Sequence, residues 1–214
     1  MRRNALVLLI ISLFGLTVAV PGKAEQSERW DFNVYLNDKR IGTHLFEVTD
    51  ANGVTRVQSD ANFKYTILLI PAYRYAHTNT EQWSGNCLMR FDAKTNANGD
   101  RIQVSGERAG NTFTVKTDES PVELPECVMT FAYWNPDFLE QPRLLNPQTG
   151  EYVNVQVEEV GEETLEIRGE LVAATRFRLT AYDADITLWY SNDDKWLRLE
   201  SVAEGGRIIR YELT

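Results

Sequence analysis

The chain has 214 residues, 43% of them hydrophobic, with 22 Lys and Arg against 31 Asp and Glu and a net charge of −9. Such an acidic chain is repelled by nucleic-acid phosphates and by anionic lipid surfaces, and no run of Lys and Arg offsets the excess, so no nucleic-acid partner is expected.

The first residues read as a secretory signal peptide over 1–24. Arg2 and Arg3 precede a short apolar run from Ala5 to Val20, which reaches the small residues of Gly22-Lys23-Ala24. The run falls short of the ~20 residues that a spanning helix needs, so the chain is expected not to span a membrane. Cleavage is expected after Ala24, with Ala19 the second choice. Losing Arg2, Arg3 and Lys23 takes the net charge to −12 and leaves a periplasmic or secreted protein of about 190 residues, ample for one core. Two cysteines in an oxidising compartment, Cys87 and Cys127, read as one structural disulfide; a reactive thiol would need an activating base.

Beyond the leader the pattern is that of strands. Trp30, Phe32, Val34 and Leu36 alternate with polar residues, Asn37-Asp38-Lys39-Arg40 turns the chain, and Ile41 to Thr49 brings Gly42, His44, Phe46 and Val48 to one face, as in a hairpin. Val54 to Phe63 continues the pattern. The apolar run Tyr65 to Ile70, broken by Pro71, is a buried strand end or an apolar loop.

The next strand is unusual. Tyr73, Tyr75, His77, Asn79, Glu81 and Trp83 share one face, and Arg74, Ala76, Thr78, Thr80 and Gln82 the other. Aromatic rings interleaved with an imidazole, an amide and a carboxylate suit the wall of a half-wet cavity, the rings stacking on a ligand and the polar tips orienting it. A solvent face with rings packed sideways is the plainer alternative. Asn86 to Ala93 and Arg101 to Glu107 flank an Asn98-Gly99 hairpin turn. In register with a calcium loop, that segment would put Lys94 and Ser105 at the outer ligand positions, so no metal is expected there. Thr112 to Lys116 reads as the last strand of this half.

From Cys127 to Tyr152 the alternation lapses. Three prolines and the aromatic residues Phe131, Tyr133, Trp134 and Phe138 mark a packed connector, with a short helix over Glu126 to Trp134 ended by Asn135-Pro136. Tyr133 and Trp134 are its candidate contributions to a ligand site. After the turn at Asn146 to Gly150, a meander of six strands is expected, with turns at Gly161-Glu162, Gly169-Glu170, Asp183-Ala184, Asn192 to Asp194 and Glu204 to Gly206. Its apolar face carries Phe177, Leu179, Ile186, Leu188 and Tyr190. Arg176, Arg178, Trp196, Arg198, Arg210 and Glu212 fall opposite.

These elements predict an all-β fold. A curved antiparallel sheet closes into a barrel or half-barrel, and a short helix or loop connector (127–150) joins two β-rich halves (25–126 and 151–214) within a single domain, 25–214. The stretches AYRYAHTNTEQW, CVMTFAYWNP, LLNPQTGE, ITLWY and KWLRLES, the last followed by GRIIRYEL, resemble a family of exported bacterial proteins known only as a domain of unknown function. The C-terminal meander is distantly similar to a second uncharacterised exported family with a curved, barrel-like sheet. The resemblance implies export and β architecture and supplies no catalytic residues.

No nucleophile elbow, zinc helix pair or phosphate loop is present, and no catalytic residue, cofactor or metal is assigned. The expected function is a binding or carrier module for a hydrophobic or amphipathic small molecule, with the Tyr73 to Trp83 face as wall and the connector as lid. The alternatives are an envelope scaffold or protein-interaction module, and a hydrolase-like enzyme using His77 and Glu81. On one strand face those two have Cα atoms about 13 to 14 Å apart, so they would act only on a substrate lying between them.

Overall fold

The computed structural model describes residues 26–67, 70–181 and 184–214. The expected signal peptide and its expected cleavage site lie outside the described residues, as does part of the turn expected at Asp183-Ala184. The first half forms β1 (Gln26–Leu36), β2 (Lys39–Ala51), β3 (Val54–Ile67), β4 (Ile70–Ser84), β5 (Cys87–Ala97), β6 (Asp100–Ala109), β7 (Thr112–Lys116) and β8 (Val122–Pro125). The connector holds β9 (Arg143–Leu145) and β10 (Tyr152–Asn154), paired with each other off the main sheet. The second half forms β11 (Gln156–Ile167), β12 (Glu170–Ala181), β13 (Ala184–Ser191), β14 (Trp196–Ala203) and β15 (Arg207–Leu213).

Thirteen strands make one antiparallel sheet in the order β11-β12-β13-β14-β15-β1-β2-β3-β4-β5-β6-β7-β8. Every neighbour is consecutive in sequence except β15 and β1, which pair from Phe32 opposite Leu213 to Leu36 opposite Ile209. That pairing fixes the path of the connector. The chain leaves the first half at one edge of the sheet, β8, and re-enters at the other edge in strand order, β11, with the connector between them. That segment lies inside the curl: Val128, Met129, Ala132, Phe138, Leu144 and Leu145 are buried in one core with Trp30 and Phe32 of β1, Trp83 of β4, Phe113 of β7, Leu188 of β13 and Trp196 of β14. The fold is an open, curled sheet wrapped around its own connector.

Period two explains most of the burial. On β1, Trp30, Phe32 and Val34 point inward between half-exposed neighbours. On β4 the inward set is His77, Asn79, Glu81 and Trp83, and Thr78, Thr80 and Gln82 are exposed. The solvent-face alternative for this strand is thereby overturned.

Gly42 is required where β2 meets β3. A Cβ there would lie 1.9 Å from the Asn62 carbonyl oxygen, so the two backbones approach too closely for any side chain. Gly42→Ala is expected to lower stability by at least about 2 kcal/mol in urea unfolding, because only movement of the ladder relieves a backbone clash.

Several expected details are corrected. Glu126 to Trp134 is not helical; a 3-10 helix instead begins where that helix was to end, at Pro136–Glu140. Asn135 is its N-cap, the side-chain oxygen accepting from the Asp137 amide at 3.1 Å, and Pro136 takes the first helical position, where its missing N–H costs nothing. Gly161, at φ +136°, forms a bulge inside β11 rather than a turn, so two expected strands are one. The segment Glu151 to Val160 divides into β10 and the start of β11, and β8 follows β7 as an additional edge strand. Trp196 belongs to the core and not to the outer face. A bulge skips Leu197 in the β13–β14 ladder, so that Tyr190 faces Trp196 and both point inward.

Outside, Arg178 pairs with Asp185 at 2.6 Å and Arg210 with Glu212 at 2.7 Å. The first is exposed and adds little stability, about 0 to 1 kcal/mol, and the second is part-buried.

Candidate functional site

Between the concave face of the sheet and the connector lies a cavity of about 340 Å³. Its walls come from β2 (His44, Phe46), β3 (Val57, Ser59, Ala61, Phe63), β4 (Tyr75, His77, Asn79, Glu81), β13 (Ala184, Ile186), β14 (Ser201), β15 (Tyr211) and the connector (Thr130 to Trp134 and Asn146 to Gln148). Both halves and the connector therefore contribute.

The β4 face runs from wet to dry. Tyr73 at the rim is 39% exposed, Tyr75 is half-buried, and His77, Asn79 and Glu81 are buried. The rings of Tyr73 and Tyr75 stack with centroids 6.4 Å apart, and Tyr75 stacks on Phe63 at 5.3 Å. A more open groove of about 1190 Å³ shares Phe63 and Tyr75 with the cavity and reaches Tyr73 and Ile41. Others of the groove's lining residues, among them Asn62, Lys64, Arg74 and Ala76, belong to the opposite face of the sheet.

At the dry end the side chains gather around Glu81. Its Oε1 accepts from Asn79 Nδ2 at 2.8 Å and from Thr130 Oγ1 at 3.1 Å, and its Oε2 accepts from Trp83 Nε1 at 2.9 Å. Burial pushes the Glu81 carboxyl up from its ordinary range, and the three donors oppose that shift without cancelling it. Thr130 belongs to the connector, so this cluster also anchors that segment. Three further ties hold it: Tyr75 Oη donates to Gln148 Oε1 at 2.6 Å, the Leu88 amide donates to the Val128 carbonyl at 3.0 Å, and a disulfide joins Cys87 to Cys127.

The two histidines share a row. In the β2-β3-β4-β5 ladders His44 is opposite Ala61, Ala61 opposite His77, and His77 opposite Thr95, so the imidazoles stand two strands apart on the concave face. His77 Nδ1 shares a hydrogen bond with Thr95 Oγ1 at 2.9 Å. His44 does the same with Tyr211 Oη at 3.3 Å and Ser59 Oγ at 3.4 Å, and its ring packs 4.1 Å from that of Phe46. Burial lowers the pKa of His44 to about 3, with repulsion from His77 adding to it, and burial lowers that of His77 to about 4. Both are neutral at pH 7. Burial also pushes the hydroxyls of Tyr75, Tyr133 and Tyr211 up, so these too stay uncharged.

Of the residues singled out in the sequence, Tyr75, His77, Asn79, Glu81, Tyr133 and Trp134 line the cavity together. Tyr73 stands at its rim. Trp83 lies behind the wall with no exposed surface, donating to Glu81 and packing edge-on against Trp134 at 5.7 Å. Among the described residues no hydrogen bond joins His77 to Glu81: Nδ1 of the imidazole is committed to Thr95, and both Glu81 oxygens accept from protein donors. Phe63, Ser59, Thr130, Ile186 and Tyr211 escaped sequence reasoning. Their strands read as ordinary alternating segments, and only the β15–β1 pairing brings Tyr211 to His44.

A family model described as a domain of unknown function, DUF6134, matches residues 32–214. The crystal structure of a beta-barrel-like protein of another domain of unknown function, DUF1849, from Brucella abortus superposes with a TM-score of 0.65 at 10% sequence identity. The match covers 87% of this chain and 94% of that one, a likeness of fold. No curated protein matches the chain.

Proposed function

The chain belongs to the DUF6134 family, and we propose that it is a binding or carrier module for a hydrophobic or amphipathic small molecule, held between the β4 face and the connector. The observation that carries this reading is the continuous gradient on one strand face, from the exposed Tyr73 through stacked rings to the buried group around Glu81, along a cavity of about 340 Å³. That combination of apolar wall and a few convergent polar groups is what small-molecule sites have, and the volume falls within their range of about 300 to 1,000 Å³. An alkyl chain gains about 0.8 kcal/mol per buried methylene, so roughly ten buried carbons supply about 8 kcal/mol before the cost of association is subtracted.

The proposal places this activity in the periplasm or outside the cell, on the strength of the signal-peptide pattern of Met1 to Ala24 and of a bridged cysteine pair. The protein-interaction alternative would use the free sheet edges. β8 is four residues long, and β11 carries glutamates at 158, 159, 162, 163 and 166, a short strand and a charged one that both discourage strand addition.

Titration with N-phenyl-1-naphthylamine, a neutral dye that brightens in apolar surroundings, tests the cavity. One saturable site per chain is expected, lost when Ala184→Phe fills the space while the unfolding midpoint is kept. Equal dye binding by that variant would move the site elsewhere.

A further inference from the structure

The cluster at the dry end of the cavity leaves two polar atoms without partners. Asn79 is 7% exposed, its amide nitrogen is committed to Glu81, and its Oδ1 has no hydrogen bond. The indole nitrogen of Trp134, on the lid, likewise has none. Both residues line the cavity, and Trp134 packs on Trp83, itself bound to the carboxylate that Asn79 also holds. Buried polar groups in folded proteins are nearly all paired, so an unmatched acceptor and an unmatched donor within one cluster describe the group that completes them.

The chemistry of head groups then narrows. A carboxylate or phosphate only accepts, leaving Asn79 Oδ1 unmatched, and the described lining holds Glu81 but neither lysine nor arginine to balance an anion. A quaternary ammonium would find good faces in Phe63, Tyr75 and Tyr133, but it neither donates to Asn79 nor accepts from Trp134. A primary ammonium donates and cannot accept. An alcohol or a primary amide does both.

Resting on the reading of this cavity as a ligand site, we propose that its ligand is an uncharged amphiphile whose head group both donates and accepts. The head group is a hydroxyl or primary amide, seated between Asn79 Oδ1 and Trp134 Nε1, with its chain running past Tyr75 and Phe63 to the rim at Tyr73. The neutral imidazoles of His44 and His77 fit this assignment, since neither offers a positive charge to an anion at neutral pH.

The test holds the tail constant and changes the head. Decan-1-ol, decanamide, decanoate and decyltrimethylammonium are titrated calorimetrically at neutral pH into the full exported chain. The alcohol and the amide are expected to bind at least about tenfold more tightly than either ion, the scale of one matched hydrogen bond. Trp134→Phe, which keeps an aromatic ring beside Trp83 and removes the donor, is expected to weaken decan-1-ol several-fold and leave the two ions unchanged. Asn79→Ala should do the same from the acceptor side.

If an ion binds as tightly as the alcohol, or if Trp134→Phe leaves the alcohol's affinity intact, the head-group assignment is wrong though the cavity still binds. If none of the four binds, the carrier reading itself fails.

Discussion

His44→Phe is expected to make the protein markedly more resistant to acid. In the native chain both imidazoles are held neutral, with pKa values of about 3 for His44 and about 4 for His77 against an ordinary 6.5. The unfolded chain therefore binds protons first as the pH falls. Stability that is complete above about pH 6.5 is lost as the pH drops through the window down to these native values. At roughly pH 4.5 each histidine costs about 2 to 3 kcal/mol relative to roughly pH 7.5, at about 1.4 kcal/mol per pH unit. Glu81 works in the opposite direction, because its raised native pKa makes the folded state bind its proton first and gain stability on acidification. That contribution, like those of the surface carboxylates, is common to parent and variant and cancels between them. The ring of His44 already sits among Phe46, Phe63 and Tyr211, so phenylalanine fits its surroundings. Urea unfolding at the two pH values should show the variant losing about 2 to 3 kcal/mol less than the parent. Equal losses would mean that His44 titrates normally in the fold.

Replacing Cys87 and Cys127 by serine is expected to cost about 3 to 4 kcal/mol, since the bridge closes a loop of 40 residues and its chief effect is to restrict the unfolded chain. The location of the damage is more specific than its size. The bridge joins the start of β5 to the entrance of the connector, next to the Leu88–Val128 backbone hydrogen bond. Without it the lid retains Thr130 on Glu81 and Tyr75 on Gln148, but its first residues lose their fixed point. Limited proteolysis should then cut first near residues 126–136, before any cleavage within β1 to β7. A first cut in a sheet strand, or equal resistance of the connector with and without the bridge, would show that the lid is held by packing alone.

Much of this architecture is legible in the chain itself, because antiparallel strands with one buried face carry their orientation in every second residue. The β4 face from Tyr75 to Glu81 was picked out by that rule alone. Details that depend on a single inserted residue were not. The bulge that skips Leu197 turns Trp196 into the core, and the bulge at Gly161 joins two apparent strands, and neither leaves a local mark that separates it from a turn. Asn135-Pro136 is a helix signal that works in two directions, since asparagine followed by proline opens a helical turn as readily as it closes one, and here it opens Pro136–Glu140. The cavity's other walls were invisible for a different reason. Tyr211 and His44 meet only because β15 returns to β1, a pairing across most of the chain with no local signature.

On the proposed reading, the curled sheet and its connector enclose a site for a small amphiphile. Native mass spectrometry of the full chain, purified without detergent from the organism that makes it, addresses this most directly. One bound molecule per chain is expected, uncharged and of a few hundred daltons, leaving when Ala184→Phe occupies the cavity. A bare polypeptide mass, with no adduct regained on exposure to the organism's own lipid extract, would contradict the account.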